Sequence, residues 1–485
     1  MDKNTAGICL SNPVSILQSV LNYIKSVKSD SLPNSNEISS QLKEYFVYFE
    51  RSSHVLEKKT LEYCINLFST IDHLFFSKIL SRQTSEESHA LLITSISNFG
   101  QLLSLIFQNY YSSDYCSSSV SNILFIVKGP FDLAHASFAK SFILGHSSCN
   151  SSISCPKFLF LDTDFPSNLN SISFSFKGMS TFYAMRSYQN LIKSHEFGTV
   201  IWLSVSQTVS LFLGSRFTER QIYWSARYRN QLFNTVDKYF FGARESKKTI
   251  QYNGVSWCYG RFHVGEWKGL NLVDLTTKFS DKSDLNWVNF IKRKKSQGFI
   301  VAATISTERK LQSEEFRNCI LQYLNLNPHV YYFFTSRVSC DLDNLLKSNG
   351  LQTRFKRIDW INTMTPVVQL FDLILDSFPV GASHSLCFAL NSGTPFLSMY
   401  TNENLRSSLL ESLSSTLVSK ATTSDFHNYG IVFNSKEYLE LATSLTTVKN
   451  NQKREKLLLN QRQIVNSILN NPKGMYKDFI SHILS

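Results

Sequence analysis

Between Asp372 and Pro395 the chain reads DLILDSFPVGASHSLCFALNSGTP, a run whose residue types can hold an anion. Leu373, Ile374 and Leu375 read as a buried strand, a turn-rich loop follows, and a helix opens at Ser383, His384 and Ser385. Leu386, Phe388, Ala389 and Leu390 carry that helix until Gly393 stops it, and Pro395 starts the next strand. Small hydroxyl residues at a helix start leave several backbone N–H groups to face a ligand. The helix dipole adds partial positive charge at the same place, which suits a phosphate. The same residues also describe an ordinary strand–loop–helix unit whose serines only cap the helix.

Three further groups can carry chemistry. Arg309 and Lys310 follow the apolar run FIVAAT through the loop Ile305-Ser306-Thr307-Glu308. A cation there can neutralise the charge that builds on a departing diphosphate. As a plain surface charge it would sit against the dipole of a helix start, a slight electrostatic misfit. His135 lies in a glycine-led loop, Gly129 to Ala136, after the strand-like NILFIV. It can act as a base, orient an acceptor, or serve as a structural hydrogen-bonding residue. Asp162 and Asp164 form a DxD after the strand-like KFLFL. Two carboxylates at that spacing can share a divalent cation with a diphosphate, or one can cap the next helix. Asp341 and Asp343 make a second DxD near a helix start, where capping is sufficient.

These groups need elements to position them. Residues 1–118 read as all-helical, with apolar positions at helical spacing in four stretches, among them Ile16, Leu17, Val20 and Ile24. A Ser-rich linker follows at Ser112 to Ser121. From 119 to about 280, short apolar runs such as NILFIV, KFLFL and VIWLSV alternate with helical stretches, and Ile222 to Trp224 and Tyr239 to Phe241 are further strand candidates. From about 281 to 450 a second series begins with FIVAAT and VYYFFT and continues through LILDSF, PFLSMY and GIVFN. Short apolar strands alternating with helices predict parallel sheets covered on both faces, each binding ligand at the carboxyl ends of its strands. The break between the two is expected between Leu270 and Asn286. The segment 451–485 reads as helical and long enough to return across the cleft.

Composition narrows the partners. The 485 residues are 43% hydrophobic and 18% charged, which marks a globular chain with room for roughly three domains. A net charge of +12 suits acidic partners, but the basic residues are spread, and the short run Lys292 to Lys295 reads as a solvated helix end. Nucleic acid is therefore not expected. No stretch offers ~18 uninterrupted apolar residues, and no signal peptide is expected at the opening residues. The nine cysteines are dispersed without a CxxC or Cys/His ligand spacing, which fits a reducing, cytoplasmic setting.

The segments FIVAATISTERKLQSEEF, VYYFFTSR and LILDSFPVGASHSLCFALNSGTPFLSMYTNENLRSSLLESL together resemble the nucleotide-binding domain of the O-linked N-acetylglucosamine transferase family. That family includes the bacterial cytoplasmic N-glucosyltransferases of adhesins. The resemblance implies that Lys310 contacts the donor diphosphate and that Ser383, His384 and Ser385 form the phosphate-binding helix start. It brings Asp376 and Gly381 into the same donor site. More loosely, VKGPFDLAHASF is similar to the family's histidine loop, and FTERQIYWSARYRNQLFNTVDKYFFGA to its Q-x-x-W…D-Y-F segment. His135 then falls on the catalytic side, with Asp132, Arg227 and Arg229 towards the acceptor. The two arginines can bind an acidic acceptor or the diphosphate, or simply be surface residues. One departure is plain: where the family keeps an acidic residue for the donor ribose, this chain has Phe388, which accepts no hydrogen bond.

The resemblance implies the GT-B architecture: two Rossmann-like domains preceded by an all-α domain. It implies transfer of a sugar from a nucleotide-sugar donor, most simply UDP-linked, to a protein or glycan acceptor. The expected mechanism is inverting and needs neither metal nor other cofactor, with Lys310 and His135 as the catalytic pair. Phe388 keeps a second reading open, a catalytically inactive relative that binds an acceptor or acts as a partner subunit. A metal-dependent transferase using Asp162 and Asp164 is a third, which the two-sheet pattern opposes.

Overall fold

The computed structural model describes residues 12–27, 34–53, 56–79, 86–111, 119–128, 145–146, 149, 156–161, 171–173, 178–203, 210–225, 232–241, 249–252, 254–259, 282–361, 364–379, 381, 383–400, 426–447, 451–469, 473, 476–477 and 480–481. The chain divides into two compact units, one of residues 1–242, 247–262 and 473–485, the other of 243–246 and 263–472.

The first unit opens with the helices Pro13–Ser26, Ser35–Ser52, Lys58–Lys78 and Glu86–Tyr111. Asn12 starts the first of them, its side-chain oxygen accepting from the Val14 N–H at 2.9 Å just ahead of a proline suited to the first helical turn. Ile16, Leu17, Val20 and Ile24 then fall on one buried face. By length and composition Ala90–Tyr111 could cross a bilayer, yet Leu92, Ile96, Phe99, Leu103 and Phe107 are buried among protein side chains. That helix also packs against the helices Thr181–Ser194 and Ser210–Gly214, which lie between strands of the sheet that follows. Ser104 donates to the Leu211 carbonyl at 2.7 Å, the Gln189 amide donates to the Tyr111 carbonyl at 2.5 Å, and the Phe107 ring meets Phe182 edge-on at 5.5 Å. The four helices and the first sheet fall in the same compact unit.

The first sheet comprises β1 (Ile123–Lys128), β2 (Lys157–Leu161), β3 (Ser171–Ser173), β4 (Thr199–Leu203), β5 (Arg220–Ser225), β6 (Lys238–Phe241), β7 (Thr249–Tyr252) and β8 (Val255–Tyr259). Their order is β3-β2-β1-β4-β5-β6-β8-β7, parallel throughout except for the β7–β8 pair. Both uncertain candidates, at Ile222 to Trp224 and Tyr239 to Phe241, are thus strands.

The second unit carries β9 (Ile300–Thr304), β10 (Val330–Thr335), β11 (Phe355–Ile358), β12 (Leu373–Leu375), β13 (Phe396–Met399) and β14 (Ile431–Val432). They pair in parallel in the order β11-β10-β9-β12-β13-β14, the doubly wound arrangement of dinucleotide-binding domains. Alternate residues feed two core layers, as a strand's twofold periodicity demands. Val301, Ala303, Tyr331 and Phe333 go to one layer, and Ile300, Ala302, Tyr332 and Phe334 to the other. Every residue of β9 and β10 is buried, so no polar face remains to alternate with an apolar one.

The helix Asn451–Leu469 packs within this unit, while residues 473–485 group with the first; there Tyr476 and His146 share a 2.8 Å hydrogen bond. Gln461 fastens the helix to the sheet edge. Its amide nitrogen donates to the carbonyls of Phe396 (2.6 Å) and Tyr429 (2.9 Å), and its oxygen accepts from the Phe396 N–H at 3.2 Å. A Gln461→Leu chain keeps similar volume but strands these buried backbone groups. We expect it to lose about 2–4 kcal/mol of stability, read as a lower urea midpoint; an unchanged midpoint would show that the helix does not depend on this residue.

Candidate functional site

The strand order of the second sheet reverses between β9 and β12, since the chain winds outward from β9 to β11 on one side and from β12 to β14 on the other. Loops leaving the carboxyl ends of two such neighbours diverge and leave a crevice, the usual ligand position in doubly wound folds. Lys310 follows β9, and the helix Ser383–Asn391 follows β12. Sequence reading assigned both to phosphate binding, and the fold sets them on the two sides of this reversal.

The loop after β9 is short and tied down. Ile305 is buried in one core layer and Leu311 in the other, with a single turn of 3-10 helix, Glu308–Leu311, between them. The Lys310 N–H donates to the Thr307 carbonyl at 2.9 Å, which closes that turn. The half-buried Lys310 side chain then reaches across to β12's loop, where its ammonium donates to the Gly381 carbonyl at 2.6 Å.

The loop after β12 is shaped from below. The Asp376 N–H donates to the Leu397 carbonyl at 2.8 Å, and the Tyr438 hydroxyl donates to the Asp376 carbonyl at 2.8 Å. Burial pushes the Tyr438 pKa well above its usual value, with nearby Cys319 and Asp376 adding to the effect, so this hydroxyl stays a donor across the working pH range. The peptide between Phe378 and Pro379 is cis. The Phe378 ring is locked edge-on against Phe316 at 5.2 Å and Tyr438 at 5.0 Å. Asp376, expected from the sequence in the donor site, lies beneath the turn. Assigned to donor binding, it is only 1% exposed, and its carboxylate accepts from the Ser398 hydroxyl at 2.6 Å beneath the turn. It shapes the loop from inside. Gly381 sits directly over it, where an added Cβ would lie 2.5 Å from the Asp376 Oδ2.

The helix Ser383–Asn391 buries Leu386, Ala389 and Leu390 in the core. Gly393, at φ +82°, ends it in the left-handed conformation glycine tolerates, and the Arg462 guanidinium donates to the Leu390 carbonyl at 3.2 Å. Core and cap thus fix the axis, so its first N–H groups, at Ser383, His384 and Ser385, have a set direction and no carbonyl within the helix to bond. The Lys310 ammonium is thus tied to the turn that precedes the positive end of this helix. The Gly381 carbonyl supplies part of the compensating negative charge. Phe388 lies one helical turn beyond His384 and is partly exposed.

Hydroxyls that sequence reading overlooked underlie both loops. Thr304 donates to the Leu375 carbonyl at 2.7 Å and accepts from the Tyr332 hydroxyl at 2.7 Å. Ser306 and Ser377 hydroxyls meet at 3.1 Å. Single Ser and Thr residues at strand ends carry no distinguishing pattern in a Ser-rich chain, so nothing in the sequence marks them. Asp341 and Asp343 occupy the first turn of the helix Asp341–Ser348, whose cap position is Cys340. Asp341 pairs with Arg317 of the helix Glu314–Leu326, and Asp343 with Lys347 of its own helix at 2.9 Å and the Ser339 hydroxyl at 3.0 Å, so both carboxylates are used in ion pairs. His135, Asp132, Arg227, Arg229, Asp162 and Asp164 lie outside the described residues.

No protein-family model and no curated protein sequence matches the chain. Solved structures do resemble it. An O-GlcNAc transferase of Thermobaculum terrenum, in a mutant form, is similar over 98% of this chain and 91% of its own, at a TM-score of 0.51 and 12% identity. A glycosyltransferase from Rickettsia africae covers 77% of this chain with 100% of its own length, at a TM-score of 0.48 and 10% identity. The Anabaena protein HepE, in complex with UDP and glucose, covers 75% with 99% of its own, at 0.48 and 10%. The first of these likenesses establishes the fold: a helical amino-terminal region followed by two parallel-sheet α/β domains in the GT-B arrangement.

The turn beneath the candidate phosphate site gives a direct test. Gly381→Ala must displace either the turn or the buried Asp376 carboxylate, and we expect a loss of about 1–3 kcal/mol. A thermal melt indistinguishable from wild type would mean that the turn relaxes freely and is not held by this contact.

Proposed function

We propose that this protein is a glycosyltransferase whose second sheet domain binds a nucleotide-sugar donor, most simply a UDP-sugar. One observation carries the reading: the Lys310 ammonium reaches the turn that leads into the helix Ser383–Asn391, at the reversal of strand order. A diphosphate there would meet a cation and a row of helix-end N–H groups together. In the reaction we propose, an acceptor nucleophile attacks the anomeric carbon from the face opposite the leaving group and inverts it. The bond from that carbon to the diphosphate oxygen breaks, and the electron pair departs with the nucleotide. Lys310 and the amides of Ser383 to Ser385 stabilise the charge on that oxygen, the role a divalent ion fills elsewhere. No cofactor is invoked. We assign His135 to the acceptor side as base or orienting group, with Asp132, Arg227 and Arg229 near an acceptor that is a protein side chain or a glycan. Free thiols at Cys64, Cys149, Cys258, Cys319 and Cys340 are in keeping with a cytoplasmic setting.

Phe388 supports a second reading, an inactive relative that serves as an acceptor-binding or partner subunit. Phenylalanine cannot take the ribose hydroxyls that an acidic residue would.

Calorimetric titration with UDP, UDP-glucose and UDP-N-acetylglucosamine separates the two. The transferase reading predicts binding that weakens about tenfold or more in Lys310→Ala. Chelation by EDTA should leave that binding unchanged, and co-expressed proteins should gain hexose or N-acetylhexosamine by mass spectrometry. Absence of binding to any nucleotide would overturn it in favour of the inactive relative.

A further inference from the structure

The Lys310 loop leaves β9 at Thr304, the last residue of that strand in register with β10, opposite Phe334. Beyond that pair the β9–β10 ladder ends, while β10 keeps its bonding to β11 on its other side, the Ser336 N–H donating to the Ile358 carbonyl. Ser306 is therefore left without a strand partner, and it is only 7% exposed. Thr335 takes over with its side chain. Its hydroxyl accepts from the Ser306 N–H at 2.8 Å and donates to the Ser306 carbonyl at 2.5 Å, so one side chain holds both backbone groups of the loop residue. A second tie follows two positions along, where the Arg337 N–H donates to the Glu308 carboxylate. Lys310 lies just past both ties.

We infer that the carboxyl end of β10, chiefly through the Thr335 hydroxyl, positions the Lys310 cation. Thr335 is a positioning residue in this account, because it acts only through the loop. The inference rests on the donor-binding reading above and adds to it the reason the ammonium is preorganised. A hydroxyl is required here, since a methyl in its place leaves two buried backbone groups unpaired. Lys310 then swings with the loop, and a misplaced cation loses much of its attraction for a diphosphate.

The test compares Thr335→Val with Thr335→Ser. The valine variant should raise the Kd for UDP about five- to tenfold, and the serine variant should remain within about twofold of wild type. The double variant T335V/K310A should bind no more weakly than K310A alone, a non-additivity that general loosening of the domain does not produce. Without any ligand, amides from Ser306 to Leu311 should exchange hydrogen faster in T335V than in wild type. Equal UDP affinity in T335V and wild type, additive losses in the double variant, or unchanged exchange would each overturn the inference. If wild type itself binds no nucleotide, the donor reading falls and the exchange comparison alone decides the role of Thr335. Should T335V fail to fold, Glu308→Ala severs the second tie and is expected to move the same readouts in the same direction.

Discussion

The contact between the Lys310 ammonium and the Gly381 carbonyl joins two loops that leave neighbouring strands on opposite sides of the strand reversal. A positive charge near the positive end of a helix is by itself unfavourable. The arrangement persists because everything beneath it is overdetermined. Gly381 has no Cβ to strike Asp376, Asp376 is held by Ser398 and Tyr438, and the Phe378 ring is clamped between Phe316 and Tyr438. The loop carrying Lys310 has one buried aliphatic at each end, Ile305 and Leu311. These ties fix the loop of Lys310 and the turn before the helix Ser383–Asn391 relative to each other.

That rigidity originates in the sheet. With β9 and β10 wholly buried, neither strand can slide by one residue without exchanging the contents of the two core layers. Register is thereby fixed, and with it the level at which each loop departs. Hydroxyls at the strand ends then extend the pairing past the last backbone bond: Thr304 towards Leu375, Thr335 towards Ser306. Polar side chains are tolerated in this dry region because each is satisfied, several by backbone groups that would otherwise be orphaned.

The GT-B fold accommodates many chemistries, so the fold alone leaves the reaction open. What favours sugar transfer is local: the cation, the helix end and their shared turn. What complicates it is also local, since Phe388 occupies a position one turn into the same helix and offers a donor only an apolar surface. On the proposed donor reading, the ribose is held by other groups, the donor differs, or activity has been lost.

Much of the fold was legible in the residues alone. Continuous apolar runs such as VYYFFT and IVAAT have the length of strands and no polar face, so they require cover on both sides and hence a parallel sheet. Serines and a glycine in the run from Asp376 to Ser385 likewise point to a helix start after a turn, and a lysine after FIVAAT to a charge at a strand's end. Sequence could not show that the aspartate following β12 is buried and bonded to Ser398 beneath the turn. It could not reveal that the amino-terminal helices share a packing unit with the first sheet, because that depends on long-range contacts such as Ser104 with Leu211. Nor could it single out Thr335 and Ser306, ordinary residue types 29 positions apart whose partnership exists only once β9 and β10 lie side by side. Residue chemistry and periodicity determined the elements and the kinds of groups available. Only the strand order, by bringing distant loop ends together, decided which of those groups meet.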